Sequence, residues 1–275
     1  MRGVITQRTF YQYIKCPNWI YFDVHSDEVR FHDPLLVKLQ DDGLITEKER
    51  EVLSDRADMA EVTAEDVEEA FAQTVAFMRQ GRGTIYHATL IDRHCVGTPD
   101  VLEKVEGISR LGSHYYVAAD VKRSREVRDD HKFQGCFYAE LLERLQGVRP
   151  VQGYVITPDR VVLSYDIALF EAEYRLTLAS IEEIVAGKRP AHFVTSGCKQ
   201  SPWFSKCQSE SKTCNDHSLL NRVWREEVAR LEQAGVHTIE ELAQSSVTQL
   251  EARAPGVSHG RLELLRDQAI AIRDQ

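Results

Sequence analysis

The chain has 275 residues, enough for one large domain or two smaller ones, and its 43% hydrophobic and 28% charged residues are those of an ordinary water-soluble protein. A formal net charge of −9 excludes a general coat of nucleic-acid-binding charge but leaves room for a local basic track. No apolar run approaches the roughly 18 residues of a membrane span, and no signal-peptide pattern opens the chain, so a cytoplasmic location is expected.

In chain order, Thr9 to Cys16 reads as a short amphipathic helix closed by Pro17, and Trp19 to Val24 as an aromatic strand. Residues 34–80 read as helical and acidic, with Leu35, Leu36 and Leu39 opening one helix, Gly43 interrupting it, and Glu47 to Leu53 continuing. Thr63-Ala64-Glu65-Asp66 resembles a capping box ahead of a helical stripe of Val67, Ala70, Phe71, Thr74, Val75 and Met78. From Thr84 the period changes to two, which predicts a meander of strands over 84–91, 99–106 and 114–121. A helix is expected over 131–146, strands over 153–157 and 161–166 joined at Pro158-Asp159, and a helix over about 169–186. Residues 188–214 show no regular period and hold three cysteines, while 215–275 reads as a separate helical piece punctuated at Gly235 and Gly256. The sum is an α/β fold, a mixed sheet flanked by helices, with a small all-α C-terminal domain. The expected domains are 1–214 and 215–275.

One stretch carries chemistry. Gly97-Thr98-Pro99-Asp100 precedes a hairpin, and Asp120-Val121-Lys122 ends its apolar second strand. Residues at i and i+2 of a strand share a face, so Asp120 and Lys122 converge, with Asp100 within reach on the neighbouring strand. Two carboxylates beside an ammonium suit a hard divalent cation. The competing reading is a solvated strand end with alternating charge. Lys122, Arg123, Arg125, Arg128 and Lys132 form a local basic track directly afterwards. Of the six cysteines, Cys95 and Cys136 sit in apolar contexts and read as core, which leaves Cys16, Cys198, Cys207 and Cys214 for metal or redox chemistry.

The order of these motifs resembles the PD-(D/E)xK nuclease superfamily, and within it the RecB-type iron–sulfur nucleases, a group that includes CRISPR-associated exonucleases. Gly97 to Asp100 matches the first acidic motif, Asp120-Val121-Lys122 the (D/E)xK motif, and Gln134 with Tyr138 the QxxxY motif on the following helix. The resemblance covers roughly residues 10–245. It implies a restriction-endonuclease-like core and metal-dependent hydrolysis of DNA, as an exonuclease acting on single strands or DNA ends. Asp100, Asp120 and the Val121 carbonyl would hold Mg²⁺ or Mn²⁺, Lys122 would position water or stabilise charge, and Gln134 and Tyr138 would orient the strand. Arg123, Arg125 and Lys132 would contact phosphates. The histidine ligand that many such nucleases carry on an early helix is replaced by Thr46, which leaves Glu47 or His87 as the further metal ligand. Cys16, Cys198, Cys207 and Cys214 would hold a [4Fe–4S] cluster, with zinc as the alternative, although Ser201 stands where the group usually has its second cysteine. The tail resembles helix–hairpin–helix elements, and a helicase or CRISPR/repair partner is implied. The alternative is a catalytically attenuated DNA-binding or scaffold protein that retains the fold.

Overall fold

The computed structural model describes residues 3–28, 53, 56, 58–122 and 124–274. The chain divides into two compact units, one running to Lys188 apart from Asp27–Phe31, the other comprising Arg189–Gln275 with Asp27–Phe31. That division precedes the cysteine-bearing stretch, so Cys198, Cys207 and Cys214 belong with the C-terminal helices. Among the described residues no helix is long and apolar enough to cross a membrane.

The first unit begins with a two-residue strand, β1 (Ile5–Thr6), and α1 (Gln7–Lys15), whose first turn is closed by the Thr9 hydroxyl accepting the Thr6 N–H at 3.0 Å. Phe10 is fully buried and packs on Phe133, Phe137 and Tyr174 at 5.3–6.1 Å between ring centroids, anchoring α1 to two later helices. The aromatic strand expected over Trp19 to Val24 is instead a helix, α2 (Pro17–His25). Pro17 occupies its first turn, where an absent N–H costs nothing, so the proline starts a second helix as well as ending the first. The leucines at 35, 36 and 39, with Gly43, Thr46 and Glu47, lie outside the described residues.

After β2 (Met59–Glu61) comes α3 (Val67–Gln80), capped by Asp66 rather than by Thr63. The Asp66 carboxylate accepts the Glu68 and Glu69 N–H groups at 3.0 and 3.1 Å, and as a full negative charge at the positive end of the helix it is the stronger cap. The period-two run 84–91 breaks into β3 (Thr84–Tyr86) and β4 (Leu90–Asp92), because His87 adopts a left-handed backbone with φ 55°. β4 pairs instead with β5 (Cys95–Gly97), which also pairs β1, giving a small three-stranded sheet.

The main sheet has the order β2-β3-β6-β7-β8-β9, where β6 is Val101–Ser109, β7 Gly112–Val121, β8 Gln152–Ile156 and β9 Val162–Asp166. β3, β6 and β7 run antiparallel as a meander, while β2/β3 and β7/β8 are parallel, so the sheet is mixed. The parallel step from β7 to β8 is made by α4 (Asp129–Gln146). The buried Gln146 side chain bonds both the N–H and the carbonyl of Tyr116, at 2.8 and 2.9 Å, and fastens the far end of α4 to the middle of β7. α5 (Glu171–Val185) completes the unit.

In the second unit the stretch without period contains α6 (Phe204–Cys214). Its buried face is made by Cys207 and Ser211, one turn apart, so the helix carries no aliphatic stripe to read. His192 lies against α6, with Nε2 2.7 Å from the Ser211 hydroxyl and 3.3 Å from Asp216, and Nδ1 3.6 Å from Glu210. α7 (Arg225–Gln233), α8 (Ile239–Gln244), α9 (Val247–Arg253) and α10 (His259–Arg273) pack around Leu231, Ile239, Leu242, Leu250, Leu262 and Leu265. Thr238 and Glu241 close a capping box at α8, and Gly235 and Gly256 turn the chain at φ 80° and 91°.

Candidate active site

The hairpin register pairs Val101 with Ala119, which brings Asp100 beside Asp120 at the point where β7 also meets β8. The two aspartates brace one another through the main chain. The Asp100 N–H donates to Asp120 Oδ1 at 3.2 Å, and the Val121 N–H donates to Asp100 Oδ2 at 2.7 Å. Lys122 lies two residues along, on the same face as Asp120, and its Nζ is 3.0 Å from Asp120 Oδ2. Asp120 is 5% exposed, so this ion pair is screened little by water. Burial alone would lower the Lys122 ammonium, but Asp120, Asp100 and Asp130 outweigh it and hold the group above its ordinary value. With the carboxylates ionised beside it, Lys122 carries a positive charge at neutral pH.

The N-terminal half of α4 covers the site. Tyr138 is buried, with its hydroxyl 3.5 Å from the Thr98 carbonyl and against the Asp120 carboxylate. Burial, reinforced by the charges of Asp120 and Asp100, pushes this phenol well above its usual range, so it keeps its proton and is a hydrogen-bond donor. Gln134 lies one turn earlier, and its Oε1 is buried with no hydrogen-bond partner among the described residues. Leaving such an acceptor unpaired costs about 1–3 kcal/mol, an expense that suits a position kept for a ligand. Gly97 lets the Thr98 loop lie on the helix, since a Cβ there would come within 2.7 Å of Leu141 and 3.1 Å of Tyr138.

The other residues expected from sequence are placed as follows. The His87 N–H donates to the Asp100 carbonyl at 2.9 Å, and its ring stacks on Tyr86 at 3.7 Å. Among the described residues no three His, Cys, Asp or Glu side chains gather in a metal-holding group, so His87 does not complete one with the two aspartates. Glu47 and Arg123 lie outside the described residues. Arg125 pairs with Asp159 at 3.0 Å, and Lys132 pairs with Asp129 at 2.8 Å while covering the Phe170 ring at 4.5 Å. Cys16, buried between α1 and α2, belongs to the first unit. In the second, Cys198 and Cys207 are buried and Cys214 is exposed at the end of α6. Cys198 Sγ accepts the Thr195 N–H at 3.3 Å.

Two features escaped the sequence reading. His131 is buried on the first turn of α4, where Nδ1 accepts the Arg128 N–H at 3.2 Å. Burial lowers its imidazole against the opposing pull of Asp130, and its other electrostatic neighbours include Lys122 and Asp120. His131, Gln134 and Tyr138 fall at i, i+3 and i+7, one helical stripe that the sequence does display. The second is Tyr165 on β9, whose hydroxyl donates to the His131 carbonyl at 2.6 Å through a gap left by Gly135 and Gly153. No sequence pattern announces that contact.

Two carboxylates, an ammonium and a phenol thus converge on one spot, and the unpaired Gln134 amide oxygen lies one turn along α4 from the phenol. The oxygen donors fit a hard cation of the Mg²⁺ or Mn²⁺ type, and the ammonium and phenol fit an anionic reacting group. No family model matches the chain, and no curated protein matches it significantly.

Proposed function

We propose that the first unit is a metal-dependent phosphodiester hydrolase acting on DNA, a nuclease of the PD-(D/E)xK, RecB-type group. The observation that carries this reading is the convergence of Asp100, Asp120 and Lys122 beneath Gln134 and Tyr138. Asp100, Asp120 and the Val121 carbonyl would hold the divalent cation, which when bound supplies Lewis-acid polarisation of the phosphate and an acidified water. The Lys122 ammonium, 3.0 Å from Asp120, would offset charge building on the phosphate oxygens. Tyr138 would donate a hydrogen bond to a phosphate oxygen, and Gln134 would use its amide to fix the strand beside it. α4 is held at both ends, by Gln146 on β7 and by Tyr165 on His131, which fixes the helix that carries these two side chains.

A second reading, a DNA-binding protein without turnover, draws on Thr46 and Ser201, which stand where the resembled group carries a metal-ligating histidine and a cluster cysteine. The experiment that separates them is Mg²⁺- or Mn²⁺-dependent cleavage of labelled DNA by the wild type beside Lys122→Met. Cleavage by the wild type, reduced about 10²–10³-fold in the variant, is expected. Wild-type cleavage rates in Lys122→Met overturn the assignment, and DNA binding with no turnover in either protein supports the second reading.

A further inference from the structure

The site needs a path for the strand it would cut, and of the described cations in the basic track Arg125 and Lys132 are paired with Asp159 and Asp129, which leaves Arg128 exposed where α4 begins. α1 offers a different surface. Its first residue, Gln7, holds the Thr98 loop by two hydrogen bonds, from Nε2 to the Thr98 hydroxyl at 2.5 Å and from the Thr98 N–H to Oε1 at 3.3 Å. The helix is thereby fixed to the loop that carries Asp100. Thr9, Phe10 and Gln12 face the core, which leaves Gln7, Arg8, Tyr11 and Lys15 on the outward face at successive turns.

From Gln7 to Lys15 the helix rises about 12 Å, the length of three to four nucleotides at a rise of about 3.4 Å each. Lys15 Nζ lies over the Tyr11 ring, 5.4 Å from its centre, and Trp19 braces that ring edge-on at 6.4 Å, so the phenol is a held plate with a cation over one face. Arg8 is exposed and has no carboxylate within ion-pair distance among the described residues.

We propose that the outward face of α1 binds a single-stranded nucleic acid leading from the Asp100–Asp120–Lys122 centre, with one base stacked on Tyr11 and phosphates held by Arg8 and Lys15. The proposal rests on the nuclease reading for what happens at that centre. A duplex fits less well, because its bases are stacked on one another and cannot lie on the phenol.

The test is fluorescence anisotropy of a fluorescein-labelled oligothymidylate with the full chain in EDTA, so that binding is read without cleavage. Tyr11→Leu should weaken binding about 5- to 150-fold and Tyr11→Phe should restore it. Arg8→Gln should reduce the slope of log affinity against log salt by about 0.7. Circular dichroism of each variant confirms that the fold is kept. Unchanged affinity in Tyr11→Leu, equal losses on a blunt hairpin duplex, or no binding by the wild type overturns the proposal. The nuclease reading is scored separately, by wild-type hydrolysis of bis(p-nitrophenyl) phosphate and its loss in Lys122→Met, so either idea can fail alone.

Discussion

Tyr165 and the two glycines around it make a prediction that depends on single atoms. A Cβ built on Gly135 would overlap the Tyr165 hydroxyl, whereas the next ring atom, Cζ, is 3.0 Å away. A Cβ on Gly153 would overlap Cζ itself and approach Cε2 at 2.7 Å. Gly135→Ala gains about 1 kcal/mol of helix propensity within α4. It must also displace the phenol, which loses the bond to His131, about 1 kcal/mol, and overpacks the site by about 1–3 kcal/mol. The net cost is about 1–3 kcal/mol. Tyr165→Phe alone costs about 0.5–1.5 kcal/mol for the same bond. Once the hydroxyl is gone, alanine at 135 meets only the ring edge, so in that background the substitution is close to neutral or slightly stabilising. The two changes should therefore be less damaging together than their sum by about 2 kcal/mol, while Gly153→Ala should gain no such relief from Tyr165→Phe. Urea denaturation of the four proteins in each cycle measures both couplings. Additivity within about 0.5 kcal/mol for Gly135, or equal rescue of both glycines, would refute the atomic account.

Gln134→Leu removes the unpaired acceptor and should raise stability by up to about 1–3 kcal/mol by denaturation while lowering DNA cleavage, and a stability loss counts against the acceptor being orphaned. In the second unit His192 is held above its ordinary value, first by its hydrogen bond to Asp216 and then by the nearby Asp216 and Glu210 charges, with burial opposing. Its contribution to stability is complete below about pH 6.5 and is lost as pH rises through the raised folded value, so thermal melts of wild type and His192→Gln should converge on going alkaline. A constant gap between the two across that range rejects the linkage. The cluster that the resemblance implies at Cys16, Cys198, Cys207 and Cys214 is tested by metal analysis: iron and acid-labile sulfide in anaerobically purified protein, lost in Cys207→Ser, would support it, zinc in place of iron selects the alternative, and no bound metal rejects both.

Much of the candidate site was legible because strand geometry is short-range. The alternation that sets Asp120 and Lys122 on one face, and the hairpin that returns Asp100 to them, are fixed by a few neighbouring residues, and the mixed α/β architecture followed from the order of the periods. The aromatic run after Pro17 was misread because apolar residues occupy both parities from Trp19 to Val24, which removes the period that separates helix from strand. The strand from Thr84 was read through His87 because a left-handed backbone at a non-glycine residue leaves no mark in composition. α6 was missed since cysteine and serine, not leucine, make its buried face. The Tyr165 wedge and the Gln146 clasp are contacts across 34 and 30 residues, and only the assembled sheet brings such pairs together.

The crossed bonds between the two aspartates have a consequence for how the site should be dissected. Each carboxylate is a latch on the other motif's backbone, Asp120 on the Asp100 amide and Asp100 on the Val121 amide. Alanine at either position removes a ligand and at the same time unfastens the end of one strand from its neighbour, so a dead variant reports two losses as one. Amide hydrogen exchange at Asp100 and Val121 tells the two apart, since it quickens only where the latch has opened. The charge at Lys122 is the component of the centre that can be withdrawn with both latches still closed.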